Sequence, residues 1–180
     1  AWGEVHYGFM GRAPDHVASS LGGMVMGIDL LEDRDKSRDG ALTDYFRYVR
    51  DNDHYVTYVI VNPQGDRSKA VKDQGYEFHT VAVVDQDSEG ITVQGAKMLG
   101  TGTVMANEIL VASLMPLPEG EEDYALNFAV PIDAKGLKQV CRRSYEESAT
   151  SVFDYPISSR YDENDAIIYF DDVKVPWERV

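Results

Sequence analysis

The chain has 180 residues, 43% of them apolar and with 11 tyrosines, which is enough for one domain with a real core or for one domain and part of another. Lys and Arg number 17 against 31 Asp and Glu, a net charge of -14 that argues against nucleic acid or an anionic membrane surface as a partner. The single cysteine, Cys141, excludes an internal disulfide and a cysteine metal cluster and points to a reducing cytoplasm.

No apolar run reaches membrane-spanning length, and no signal-peptide pattern opens the chain. It begins at Ala1 without an initiator methionine and stops at Val180 just after a proline-tryptophan pair. It therefore reads as a segment of something longer.

An aromatic lead-in (Trp2, Tyr7, Phe9, Met10) ends at Gly11. Pro14 suits a first helical turn and Asp15 the positive end of a helix dipole. Val17, Leu21, Met24 and Ile28 then recur at helical spacing. Arg12 and His16, four apart at this helix start, can face one cavity, although an exposed arginine and a first-turn histidine satisfy the spacing equally well. The charged stretch from Leu30 to Gly40 is a helix end and solvated connection. Leu42, Tyr45, Phe46 and Val49 predict a second amphipathic helix from Ala41 to Asp51.

Tyr55 to Val61, rich in β-branched and aromatic residues, predicts a strand. It runs into the Asn62 to Arg67 turn, where Gln64 and Arg67 can meet a ligand or simply decorate the surface. The organising element follows from Glu77 to Ala112: strand, acidic turn, strand, glycine-threonine loop, strand. Phe78, Thr80, Ala82 and Val84 share one face and His79, Val81 and Val83 the other, so this strand is expected to be covered on both sides. Asp85 to Gly90 is turn chemistry for an antiparallel hairpin. Gly100 and Gly102 can admit a flat ligand close to the backbone, with Thr101 and Thr103 offering hydroxyls. An ordinary glycine-rich turn explains the same four residues.

Further strands are expected at Val104 to Leu114, Tyr124 to Val130, Leu137 to Arg142 and Ala166 to Phe170. Met115 to Asp123, with its prolines, glycine and acids, reads as a mobile surface loop. Two helices followed by a strand-rich antiparallel segment make the fold class α+β, with a small barrel or sandwich. No hydrolase signature appears, and His6, His16, His54 and His79 lack metal-ligand spacing.

Four stretches together are identifiable: GRAPDH at Gly11 to His16, YVIVNPQGDR at Tyr58 to Arg67, GAKMLGTGT at Gly95 to Thr103, and Phe153 to Val180. They resemble the 4-hydroxyphenylacetate 3-hydroxylase family, the oxygenase components of two-component, reduced-FAD-dependent aromatic monooxygenases, chlorophenol monooxygenases included. The resemblance implies an acyl-CoA-dehydrogenase-like architecture: residues 1–54 as the end of an N-terminal helical domain and residues 55–180 as the middle antiparallel β-barrel domain. The C-terminal helical domain that completes the homotetramer and the flavin site in the family is not in this sequence.

The resemblance further implies that Arg12 lies in the phenol pocket, holding a phenolate and steadying a flavin C4a-hydroperoxide. Four residues on, the 4-hydroxyphenylacetate enzymes have tyrosine where this chain has His16; four before the asparagine of the VNP turn they have histidine where it has Tyr58. An exchange of the two polar partners is expected to keep a phenol-binding pair. Gln64 and Arg67 match the flavin-contacting turn and Thr101 the hydroxyl beside the ring, with Thr103 a second choice. The Met115 to Asp123 loop matches a variable lid over the substrate, while Ser158, Ser159, Arg160 and Asp165 match the family in structural roles. A separate reductase would supply FAD, and O2 and a phenol, halogenated or not, would be the co-substrates. Two alternatives stand beside this reading. One is a non-catalytic flavin-binding fragment; the other is a 4-hydroxybutyryl-CoA dehydratase-like enzyme, which needs cysteine ligands soon after the arginine motif.

Overall fold

The computed structural model describes residues 4, 15–30, 40–66, 68–76, 78–114, 116–162 and 164–180. The sequence expectations for Arg12, Pro14, Arg67 and Met115 lie outside them.

Among the described residues the helices α1 (Asp15–Met26) and α2 (Ala41–Asp51) precede the strands. Seven strands follow among the described residues: β1 (Val56–Val59), β2 (Ala82–Gln86), β3 (Gly90–Thr101), β4 (Glu108–Ala112), β5 (Asn127–Pro131), β6 (Leu137–Cys141) and β7 (Asp165–Pro176). A one-turn helix, α3 (Tyr145–Ser148), precedes the last of them and is capped by the Ser144 hydroxyl accepting from the Glu147 amide at 3.0 Å.

The strands make two sheets, β1-β4-β5 and β2-β3-β7-β6, antiparallel throughout except for the parallel pair β1 and β4. Period-two alternation assigns each face of the smaller sheet a partner. Val59, Ile109, Val111, Phe128 and Val130 point inward to meet Val93, Ile168, Phe170 and Val173 of the larger sheet. Val56 and Ala129 point outward and pack with Val17 and Leu21 of α1 and Tyr45 and Val49 of α2. The result is three layers: a helix pair, a three-stranded sheet and a four-stranded sheet. Phe128 and Phe170 meet edge to face across the core at 5.7 Å, a geometry worth about 0.5–1.5 kcal/mol beyond burial. Along one edge the sheets are stitched together, by the Val61–Met98 bridge and by Thr57 Oγ1 donating to the Thr101 carbonyl at 2.7 Å.

The α2 boundaries agree with the periodicity of the sequence, and β6 stops one residue short of its expected end. Other boundaries move for local reasons. The first hairpin strand begins at Ala82, not near Glu77, because Phe78 has a left-handed φ of 54° and Thr80 turns its hydroxyl to Asn62 Oδ1 at 2.8 Å. Its far end is not covered on both sides: Val84, Asp85 and Gln86 are exposed. Strand β3 continues through Gly100 and Thr101, so those residues end a strand instead of forming a loop. A 3-10 turn at Thr103–Met105 delays β4 to Glu108, and another at Glu122–Tyr124 delays β5 to Asn127. In α1, Val17 and Leu21 are buried as the spacing predicts, but Met24 is exposed and Ile28 sits in a 3-10 turn. The stretch at 116–123 is anchored: Glu121, 1% exposed, accepts the Lys72 amide at 3.1 Å.

Candidate functional site

His16 lies on the first turn of α1, exposed, and Tyr58 lies half-buried on the outward face of β1. Their rings meet with centroids 5.8 Å apart and a 46° tilt. A helix start and a strand, 42 positions apart in sequence, thus bring together the two residues that the resemblance marks as exchanged partners.

Next to Tyr58, Thr57 faces the opposite way and ties β1 to the end of β3 through the Thr101 carbonyl. Thr101 is the direct cross-strand partner of Asp165, and its hydroxyl donates to Asp165 Oδ1 at 2.6 Å. The Thr103 hydroxyl is buried and donates to the Gly100 carbonyl at 3.1 Å, closing the turn. Gln64 is exposed on the Asn62 turn, and no hydrogen bond joins it to the His16–Tyr58 pair.

The two glycines serve the chain itself. A β-carbon on Gly100 would lie 2.8 Å from Thr103 Cγ2 and 3.1 Å from Val59 Cγ1, so its missing side chain makes room for the core. Gly102 takes φ 70°, where a β-carbon would strike the Tyr55 hydroxyl at 2.7 Å. Just before them, Leu99 at φ 62° is the extra residue of a bulge between Lys97 and Gly100. Leu99 is exposed, as are Val104 and Met105, all within four residues of Thr101 in sequence.

Behind Asp165 stands a charged network. Arg142 Nε lies 3.5 Å from Asp165 Oδ2, and the same guanidinium is paired in fork geometry with Asp162. Asp162 also accepts the amides of Tyr145 and Asn164. The Arg142 bond, followed by those amides, holds the Asp162 carboxyl down to about 2 despite partial burial. Arg142 also lies over the Tyr145 ring at 4.4 Å. The ion-pairing role expected of Asp165 is therefore present, and with it a bond to Thr101 that sequence reasoning missed.

Lys97 was missed as well. It is 2% exposed, bonded to Asn62 Oδ1 at 2.7 Å and to Ser113 Oγ at 3.5 Å, in a small cavity lined also by Thr80, Tyr124, Ile60 and Leu117. Burial lowers its pKa to about 8. Alternation from Ile91 through Val93 already puts position 97 on the core face, so a signal for it was present. Among the described residues no group of three or more His, Cys, Asp or Glu could hold a metal ion.

Residues 1–180 match the family described as 4-hydroxyphenylacetate 3-hydroxylase N terminal. The oxygenase component of 4-nitrophenol 2-monooxygenase from Rhodococcus sp is 41% identical over 183 residues, covering 100% of this chain and 34% of the relative. The crystal structure of the oxygenase component (HpaB) of 4-hydroxyphenylacetate 3-monooxygenase, complexed with FAD and 4-hydroxyphenylacetate, matches with a TM-score of 0.84 at 37% identity. That match covers 99% of this chain and 36% of the other. An oxygen-tolerant archaeal 4-hydroxybutyryl-CoA dehydratase from N. maritimus matches with a TM-score of 0.75 at 25% identity, over 90% of this chain and 32% of that one. The chain spans about a third of the length of each of these proteins. With its whole length matched, the chain belongs to the 4-hydroxyphenylacetate 3-hydroxylase family and corresponds to its N-terminal part.

Proposed function

We propose that this chain is part of the oxygenase component of a two-component aromatic monooxygenase that uses reduced FAD and O2 to hydroxylate a phenol. The observation that carries the reading is the meeting of His16 and Tyr58 at 5.8 Å, where the family resemblance implies a phenol pocket.

The residues fit a flavin. Thr101 presents a hydroxyl on the outer side of the sheet, and Leu99, Val104 and Met105, exposed and close to it in sequence, would supply apolar contacts to a flat ring. When bound in reduced form, FAD supplies the electrons that activate oxygen for transfer to the aromatic ring. Thr101 would lie beside the ring, Thr103 would hold the turn that carries it, and Gln64 and Arg67 would meet its polar edge.

The chain's own work is to bind, orient and manage a proton. Tyr58 and His16 hold the phenolic oxygen between a donor and a proton acceptor, and His16 takes the phenolic proton. Arg12, assigned from its motif alone, contributes a cation that favours the ionised, electron-rich phenolate. The segment from Met115 to Asp123 acts as a lid that limits water at the site.

For the whole protein we propose a helical domain ending near residue 54, a β-domain over 55–180 and a C-terminal helical domain, together an acyl-CoA-dehydrogenase-like homotetramer. It would be cytoplasmic and served by a separate flavin reductase, with chlorophenols among its candidate substrates and halide lost when the attacked position is halogenated. No described helix is long and apolar enough to cross a membrane. The dehydratase alternative is disfavoured because Cys141 is the sole cysteine and is exposed, far from the arginine motif in sequence.

The test supplies the full-length protein with reduced FAD from a reductase, air and a panel of 4-substituted and halogenated phenols. Product masses one oxygen heavier are expected, or, where the attacked position is halogenated, the quinone with one equivalent of halide released. Flavin reoxidation with every phenol unchanged would overturn the reading.

A further inference from the structure

Thr101 and Asp165 face each other across β3 and β7. The neighbouring pair, Gly100 and Ala166, is buried, so alternation turns the Thr101 and Asp165 side chains away from the core between the sheets. Thr101 Oγ1 donates to Asp165 Oδ1 at 2.6 Å. An ionised carboxylate has no proton to offer, so the bond can run only one way. The single hydroxyl proton of Thr101 is committed to Asp165, and Oγ1 keeps only lone pairs for a ligand.

Both ends of this arrangement are fixed. Asp165 Oδ2 lies 3.5 Å from Arg142 Nε, and Arg142 is itself clamped by Asp162. The Thr101 carbonyl is held from β1 by the Thr57 hydroxyl at 2.7 Å. Neither the hydroxyl nor the backbone behind it is free to turn.

We infer that Asp165 is a positioning residue that makes Thr101 an acceptor-only group and so makes the site select reduced over oxidised FAD; this rests on the placement of Thr101 beside the flavin ring proposed above. The discrimination turns on one hydrogen. With ring nitrogen N5 facing Thr101, as this inference requires, its N–H in reduced FAD would be a donor matched to the lone pairs of Thr101 Oγ1. In oxidised FAD that nitrogen has only a lone pair, so the same contact opposes two acceptors. A protein that takes up flavin already reduced by another enzyme needs this preference: it captures the reduced form and releases the oxidised form after turnover.

Asp165→Asn tests the inference in the full-length protein. Arg142 attracts the amide oxygen of the new side chain, which turns its NH2 group to Thr101; Oγ1 then accepts from position 165 and donates toward the flavin. Anaerobic titrations with reduced FAD and separate titrations with oxidised FAD give the ratio of the two Kd values. The preference for reduced FAD is expected to fall about tenfold in Asp165→Asn, lowering the midpoint potential of the bound flavin by about 30 mV. Thr101→Ser should retain the parent ratio, and Thr101→Val should lose it to a similar extent. In the double variant, Asp165→Asn should add nothing to Thr101→Val.

An Asp165→Asn effect of equal size with and without the Thr101 hydroxyl would overturn the inference. So would an unchanged ratio in Asp165→Asn when Thr101→Val changes it. A ratio that none of these variants moves would overturn the placement of Thr101 at the flavin instead. Should Asp165→Asn fail to fold, the Thr101 pair still decides: equal ratios for the Ser and Val variants contradict the hydroxyl's role.

Discussion

Lys97 carries an ammonium into the inner face of β3, and among the described residues no carboxylate pairs with it; its partners are the neutral Asn62 and Ser113. Desolvation lowers its pKa from 10.5 to about 8. Between those values the unfolded chain holds the proton more often than the folded one, so this residue makes stability rise with pH through that window. Below about pH 8 it carries a constant cost of roughly 3 kcal/mol. Replacing Lys97 by Met removes the titration. Urea unfolding should show the parent gaining stability relative to Lys97→Met as pH rises from 8 to 10, and a constant difference would contradict the account. His16 makes a second prediction at this scale. Because its ring meets that of Tyr58, His16→Ala should lower phenol hydroxylation tenfold or more while changing reduced-FAD affinity little. Equal losses in both would count against its place in the phenol pocket.

At the scale of elements, the end of β3 is the piece on which the site depends. Gly100 has the Thr103, Val59 and Ile168 side chains within 3.2 Å of where a β-carbon would stand. Gly100→Ala should therefore cost about 1–3 kcal/mol by overpacking, seen as a lower Tm; an unchanged Tm would show that the strand end yields freely. The same strand shows what the sequence could reveal. Helix α2 was legible because Leu42, Tyr45, Phe46 and Val49 form an unbroken stripe, and the β2–β3 hairpin because Asp85 to Gly90 has strong turn chemistry. The bulge at Leu99 was not, since nothing in a leucine announces a left-handed backbone, and Phe78 hid the true start of β2 for the same reason. Residue spacing alone could not join His16 to Tyr58 or Arg142 to Asp162, because long-range contacts leave no local period; family resemblance supplied the first pair, and the second became visible only in the fold.

At the scale of the molecule, one polar node holds the layers together. Glu108 on β4, its side chain 2% exposed, accepts from Arg179 at 2.8 Å and from the Tyr48 and Tyr45 hydroxyls at 3.2 and 3.5 Å. Arg179 also lies over both tyrosine rings, at 4.6 and 4.8 Å. Burial, and then the Glu108 charge, push the Tyr45 pKa upward, so the phenol stays a donor to the carboxylate. Helix α2, strand β4 and the final turn thus meet on one buried charge. Arg179→Ala leaves that charge unpaired and should cost about 3–5 kcal/mol in urea unfolding, whereas Glu108→Gln combined with Arg179→Met should recover much of the loss. An Arg179→Ala variant as stable as the parent would contradict the node.

The central claim is that the site built by α1, β1 and the end of β3 belongs to an enzyme that places oxygen from O2 on a phenol. The measurement that tests it most directly is a single turnover of the full-length protein, loaded anaerobically with one equivalent of reduced FAD and a phenol and then exposed to 18O2. The account predicts an aromatic product carrying one labelled oxygen on the ring, ortho or para to the original hydroxyl. Unlabelled product, or labelled hydrogen peroxide with the phenol untouched, would contradict it.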